Sequence, residues 1–499
     1  MTSVPVDYRD VQGLVRFGYK HLKAARYAVL RVKARAAAQA WLRQVPVTTA
    51  EYVQPPPSEA VHVALTAAGL DALGVPAAVR VAFSPEFLGG MADANRARRL
   101  GDLGANAPAY WRWGGDAGVP HLLVMYFTRA DRDLDGFIAR TMGASFGDAF
   151  AIQQTLDTCD QDGVEPFGFA DGLSQPAIDW DQETEPDSRK LDYRNESALG
   201  EFVLGYANEY GKFTDRPIVA GDAVSAGLPS AVDDPGKKDL GRHGSYLVFR
   251  QLDQNVRAFW QFVHAAANGN PAAMERLSSA FVGRTRSGEP LVTAAAGLDD
   301  GTESRDEQAR RNQFTFDGDP RGVACPVGAH IRRSNPRNTD YPGRPTGVMK
   351  LLAALGASTK GFRDDLVSPV RFHRVLRRGR EYGPTLRPED ALRPAPPDDP
   401  ERGLHFICLN ANIGRQFEFL QNAWLMNTTF ADLNGETDPL VGIREGLPGC
   451  PVSSAFSMPQ KGGPAERLAG LPQFVTVKGG EYFFLPGIGA LRYLGSVSG

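Results

Sequence analysis

Cysteine is scarce. The 499 residues hold four, Cys159, Cys325, Cys408 and Cys450, far apart and without CxxC spacing. That excludes a disulfide framework or a zinc cage as the organising principle, and suits a mostly reduced, intracellular protein. No apolar run reaches the length of a membrane span. The first ten residues, MTSVPVDYRD, have no apolar core for export and no twin arginine, so a cytoplasmic location is expected. Neither sign of charge is in excess: the net charge is −3 and the pI about 6.3. Nucleic acid and anionic membrane are therefore not expected as main partners. GxxxxGK[ST] and HExxH are absent, and no GxSxG elbow follows a strand-like run, which removes most support from nucleotide-dependent and hydrolase readings.

The composition, 42% hydrophobic and 23% charged, is that of a globular chain long enough for two domains or one large double domain. One stretch is unbalanced. From Gln12 to Ala50 there are eight basic residues (Arg16, Lys20, Lys23, Arg26, Arg31, Lys33, Arg35 and Arg43) and no acidic one. A solvated face explains it more simply than a binding patch.

A strand-like run followed by a helix-like segment recurs. Ala24–Val32 leads into a helix to about Arg43. Val61–Leu65 leads into a helix around Ala67–Leu73 with Thr66 as N-cap, and His121–Phe127 into Ala130–Arg140. In the second half, Ser245–Leu252 leads into Asn255–Ala267, and His405–Leu409 into Gly414–Trp424. Phe474–Val477 and Tyr482–Leu485, separated by Lys478-Gly479-Gly480-Glu481, read as a β-hairpin. The pattern predicts a duplicated α+β plan with antiparallel sheets covered by helices. Residues 231–242, polar and rich in turn formers, read as a linker between a unit over 1–230 and one over 243–499. Residues 298–312 and 384–403 read as surface loops.

Two dense segments could carry chemistry. The first is Glu165-Pro166-Phe167-Gly168-Phe169-Ala170-Asp171-Gly172-Leu173-Ser174-Gln175-Pro176, an Asp between glycines and aromatics. Aromatics exclude water and can hold a carboxylate ready as a base. A turn with an Asx hydrogen bond accounts for the same residues. The second runs from Cys325 to Arg337, CPVGAHIRRSNPR, a histidine among small residues followed by three arginines. Neutral imidazole is a good iron ligand, and arginines pair with carboxylates such as haem propionates. A structural histidine beside a solvated basic run is the alternative, since His330 is one of eight histidines. Cys325 is a competing thiolate, although a small buried cysteine is commoner.

Together these segments resemble the dye-decolorising peroxidases. Gly168-Phe169-Ala170-Asp171-Gly172 is similar to the family's GxxDG signature, and Cys325–Arg337 to its proximal-histidine segment. Arg377-Arg378-Gly379-Arg380-Glu381-Tyr382-Gly383 is similar to its distal-arginine segment. Gly244–Leu252 and Phe474–Leu485 add further likeness. The resemblance runs from about Tyr8 to the C-terminus, and the chain length is that of the longer members.

The resemblance implies duplicated ferredoxin-like α+β domains of the dimeric α+β barrel type, with haem b mainly in the C-terminal half. It implies His330 as the proximal ligand and Asp438, in Gly435-Glu436-Thr437-Asp438-Pro439, as the carboxylate that takes the imidazole's other N–H. Arg337 resembles a propionate-binding arginine. Leu404 and Phe406 resemble apolar residues of the distal peroxide channel, though strand core explains both equally. Hydrogen peroxide would be one substrate and a dye, phenol or other bulky aromatic reductant the other. Asp171 would move the peroxide proton, and Arg377 would stabilise charge as the O–O bond breaks and hold Asp171 ionised into acid. Tyr382 and Trp424 are candidates for passing electrons to the surface, with packing as the simpler role. Two rival readings share some of these residues: a haem-handling protein, which would need no Asp171–Arg377 pair, and a non-haem interaction protein. The sequence leaves the oligomeric state open, a homo-oligomer included.

Overall fold

The strand-like runs assemble into one nine-stranded antiparallel sheet. The computed structural model describes residues 4–183, 195–294, 311–337, 369–444 and 453–497. The strands are β1 (Ala24–Val32), β2 (Glu59–Leu65), β3 (Leu122–Thr128), β4 (Phe150–Asp157), β5 (Ser245–Gln254), β6 (Leu376–Arg377), β7 (Arg380–Tyr382), β8 (Gly403–Asn410) and β9 (Val475–Leu485). Their order is β6-β8-β5-β9-β2-β3-β1-β4, with β7 also on β8. Counted within each half, the order is second, third, first, fourth, and it occurs twice. This is the α+β arrangement expected of a duplicated ferredoxin-like plan. The halves meet at β9 and β2, where Phe484 pairs with Leu65.

The sheet is apolar on both faces because both are covered. All seven residues of β3 are buried. One face packs Trp41, Leu42, Val63, Phe87, Val124 and Phe484. The other packs Tyr27, Trp113, Leu123, Met125, Phe249 and Phe483. A third cluster, with Phe259, Trp260, Phe281 and Phe474 at its centre, lies in the second half. It is built from α3 (Val256–Ala266) and α4 (Pro271–Val282), which follow α1 (Arg35–Gln44) and α2 (Leu134–Met142) in the chain. Asn255 caps α3 by accepting from the Ala258 N–H, and Asn270 caps α4 by accepting from Ala273. Thr66 caps Ala67–Ala72 through Gly69, as its position predicts.

One expectation needs correction. The glycines at 479 and 480 do not turn the chain. β9 runs unbroken through them, with a bulge between Val477 and Gly479. They are glycines because a Cβ at Gly479 would stand 2.4 Å from Trp113 Nε1, and one at Gly480 would stand 2.7 Å from Met91 Sδ. Residues 231–242, read as a linker, are exposed over most of 232–238 and buried from Asp239 to Arg242. Lys237–Asp239 pairs with Ile218–Ala220, and Arg216 joins Asp239 at 2.6 Å and Asp233 at 2.5 Å. Two residues of the basic run near the N-terminus are ion-paired within the chain: Lys23 meets Asp160 and Asp162, and Arg26 meets Asp135 and Asp157, while Arg16 lies over the Tyr8 ring. Residues 384–403 are mostly exposed, as expected of a loop; residues 298–310 lie outside the described residues. Among the described residues no helix is long and apolar enough to cross a membrane.

Candidate active site

Between the second half of the sheet and the helices lies a cavity of about 290 Å³. His330, Asp171, Arg377, Arg337, Leu404 and Phe406 all line it. His330 opens the short helix α5 (His330–Ser334), and the loop before it is shaped by one carboxylate. Asp319 accepts from the N–H groups of Val323, Ala324 and Cys325 and pairs with Arg332. Gly283, which ends α4 at φ 94°, allows α5 to pack there; a Cβ would meet Ile331 Cγ1 at 2.5 Å.

The His330 Nδ1–H donates to Asp438 Oδ2 at 2.9 Å. That bond leaves Nε2 as the imidazole's free position, and the side chain keeps 29% of its surface open. Asp438 is fully buried, and its other oxygen accepts from the Leu440 and Val441 N–H groups at 2.9 Å. Burial pulls the His330 pKa down, but the Asp438 carboxylate outweighs it and the pKa stands above the usual imidazole value. Burial would raise Asp438, but the imidazole and the two N–H donors hold it below the usual carboxylate range. The Asp438 turn is fixed from behind. Arg444 donates to the Asp438 and Pro439 carbonyls, and Arg333 to those of Glu436 and Trp424.

Asp171 sits on the loop between β4 and β5. Arg377, on β6, donates from Nη1 to Asp171 Oδ1 at 2.9 Å. Burial pushes the Asp171 pKa up, but the Arg377 charge, the Gly172 N–H and Lys20 bring it below the usual value. Ser174 and Gln175 seat this pair. The Gln175 amide bonds both the N–H and the carbonyl of Arg377, and the Ser174 carbonyl accepts from Nη2. Leu404 and Phe406 alternate with the inward-facing His405 and Ile407 on β8, so both face the cavity.

The three arginines after His330 do not act together. Arg332 holds the Asp319 loop, Arg333 caps carbonyls, and only Arg337 reaches the cavity wall. Arg337 also donates to the Asn312 and Phe314 carbonyls and lies 3.7 Å over the Phe314 ring. Sequence reading missed a further cation, Arg284. It donates to neutral acceptors, the Gly288 and Arg311 carbonyls and Ser174 Oγ. Burial, then the charges of Arg337 and Arg377, pulls its pKa down to about 9. That wall suits an anion. An unclaimed imidazole nitrogen, apolar sides and a cationic wall together fit a flat apolar group that carries iron and carboxylates.

Trp424 lines the cavity but is buried, and Tyr382, also buried, is stacked on His405 at 4.5 Å. Cys325 is fully buried, which pushes its thiol up to about 12 and rules it out as a ready thiolate.

No protein-family model matches the chain. Among curated proteins it is 32% identical over 353 residues to a multifunctional dye peroxidase of Amycolatopsis, across 68% of this chain and 62% of that protein. It is 28% identical over 457 residues to a dye-decolorising peroxidase of Mycetinis scorodonius, across 88% of this chain and 77% of that one. The chain thus spans less than two thirds of the Amycolatopsis protein. Among solved structures, an ancestral D-type dye-decolorising peroxidase superposes with a TM-score of 0.71 at 26% identity, over 98% of this chain and 99% of that one. The decolorising peroxidase of Auricularia auricula-judae gives the same TM-score at 23% identity and has the same fold. The fold is the one these dye-decolorising peroxidases share. The chain belongs to the dye-decolorising peroxidase family.

Proposed function

We propose that this chain reduces hydrogen peroxide with haem b held by His330, and oxidises dyes, phenols or other bulky reductants one electron at a time. One observation carries the reading: a single cavity is lined both by an imidazole oriented by a buried carboxylate and by a carboxylate–guanidinium pair. When bound, the haem supplies an iron centre that takes up the oxidising equivalents of peroxide. The chain's own groups do the rest. Asp438 keeps the Nδ1 proton on His330, so Nε2 is the ligating atom and a strong donor. Asp171, held ionised by Arg377, takes the proton from the incoming peroxide oxygen and returns it to the departing one. Arg377 stabilises the negative charge on that departing oxygen. Arg284 and Arg337 offer the cationic wall for the propionates, and Leu404 and Phe406 keep the approach dry.

The reading treats residues 1–230 and 243–499 as two ferredoxin-like units, with Asp171 supplied by the first and His330 by the second. A haem-handling role without turnover has no use for the Asp171–Arg377 pair. The test is the visible spectrum of haemin-loaded wild type and His330→Ala, before and after peroxide. The wild type is expected to show a Soret band that responds to peroxide and the variant to lose that response. A response surviving unchanged in His330→Ala refutes the ligand assignment, and a wild type that binds haem but oxidises no dye refutes the peroxidase.

A further inference from the structure

The loop that carries Asp171 is wrapped around a second carboxylate that takes no part in the proton transfer above. Glu165 Oε1 accepts from the Phe169 N–H at 3.1 Å, and Oε2 accepts from the Phe167 N–H at 3.0 Å. The backbone closes over the same residue: Glu165 N–H donates to the Phe169 carbonyl at 2.9 Å, and Gly168 N–H to that of Glu165 at 2.8 Å. Gly168 takes φ 97°, which the tight loop requires. The Asp171 N–H completes it by donating to the Gly163 carbonyl. The Gln254 amide at the end of β5 donates to Glu165 Oε2 at 2.9 Å, which ties the loop to the sheet.

We propose that Glu165 is the positioning residue of the distal site: it fixes the Asp171 loop on β5 and so sets where the Asp171 carboxylate stands. The inference rests on the peroxidase reading for its effect on turnover, but its structural part does not. Three donors converge on one half-buried carboxylate, so neutralising or shortening it releases two backbone N–H groups and the sheet anchor together. Burial pushes the Glu165 pKa up to about 7, with the nearby Asp171 charge adding to the rise. The groups facing it are Asp171 on its own loop, uncharged Gln254 on β5, and Arg286, whose Nε donates to the Gly168 carbonyl. Arg377 stands beyond Asp171. As pH rises through about 7 the carboxylate ionises, accepts more strongly and tightens the loop.

The loop carries its own reporter. Trp260 Nε1–H donates to the Phe167 carbonyl at 3.1 Å. In the haem-free protein, the Trp260 indole N–H resonance, assigned with Trp260→Phe, is expected to titrate near pH 7 and to become flat in Glu165→Gln. Haem-loaded Glu165→Gln is expected to keep the wild-type Soret band and lose about tenfold or more in its rate with peroxide. A purely structural role would lower stability and leave the peroxide rate of the folded variant unchanged. If Glu165→Gln does not fold, Gln254→Ala keeps the carboxylate and removes its anchor, and should shift the titration and slow the peroxide step in the same direction. A titration that persists in Glu165→Gln, or a peroxide rate unchanged in whichever variant folds, overturns the proposal. A wild type that takes up no haem overturns the peroxidase reading alone, because the indole titration still decides the role of Glu165.

Discussion

His330 and Asp438, 108 residues apart, are joined by a 2.9 Å hydrogen bond from the imidazole Nδ1 to a carboxylate with no exposed surface. The bond fixes both the tautomer and the direction of the ring, and leaves Nε2 for a ligand. Asp438→Ala should therefore weaken haem uptake by about 10- to 100-fold, read by absorbance titration with haemin.

The same pair gives the haem-free protein a pH window. Asp438 is held below its ordinary 3.8 and His330 above its ordinary 6.5. The Asp438 contribution is present above 3.8 and fades as pH falls through the depressed value. The His330 contribution is present below 6.5 and fades as pH rises through the raised one. The difference in melting temperature between wild type and Asp438→Asn should be largest between these limits and shrink on both sides.

Arg377 has two effects that separate in a pH profile. Arg377→Ala should slow the peroxide reaction at its best pH by about 3–4 kcal/mol of lost stabilisation. The acid limb should also move to higher pH, because burial alone raises Asp171 and the guanidinium is what keeps its pKa below 3.8. Stopped-flow rates across pH give both numbers.

Arg284→Gln should reduce haem affinity by about 1.5–3 kcal/mol, the worth of a charged hydrogen bond. In the haem-free protein this arginine binds its proton less tightly folded than unfolded, since its pKa is drawn from 12.5 to about 9. Its burden on stability therefore eases as pH rises through that range. Chemical denaturation of the haem-free wild type and Arg284→Gln, compared at neutral pH and near pH 10, checks the sign.

Gly379 lets β8 approach the Arg377 strand. A Cβ there would lie 2.4 Å from the His405 carbonyl oxygen and 3.0 Å from the Ile407 nitrogen, both backbone atoms that cannot rotate away. Gly379→Ala should cost about 1–3 kcal/mol in unfolding free energy. It should also slow the peroxide step with the Soret band unchanged, since the displaced element carries Arg377 and not His330.

Residue type and local pattern already carried much of this site. An Asp among glycines and aromatics, a His among small residues and an Arg-Arg-Gly run each marked its segment, and all three line one cavity. The helix cap at Thr66 was legible for the same reason, because a cap is a contact over three residues. Where local pattern misled, long-range packing was the cause. Gly479-Gly480 looked like a turn but makes room for Trp113 and Met91. The basic run after His330 resembled one anion site, yet two of its arginines hold loops and a distant one, Arg284, faces the cavity.

By itself, then, the sequence determined which groups could act: one imidazole, one carboxylate and one guanidinium, each set in a segment able to hold it. Only the tertiary structure decided that they stand together. Asp171 meets Arg377 across 206 residues and His330 meets Asp438 across 108, and these contacts exist because the folded sheet brings loops from both halves to one cavity. Hydrogen bonds and charge interactions fall away steeply with distance and angle, so composition and spacing cannot encode them; a folded sheet can.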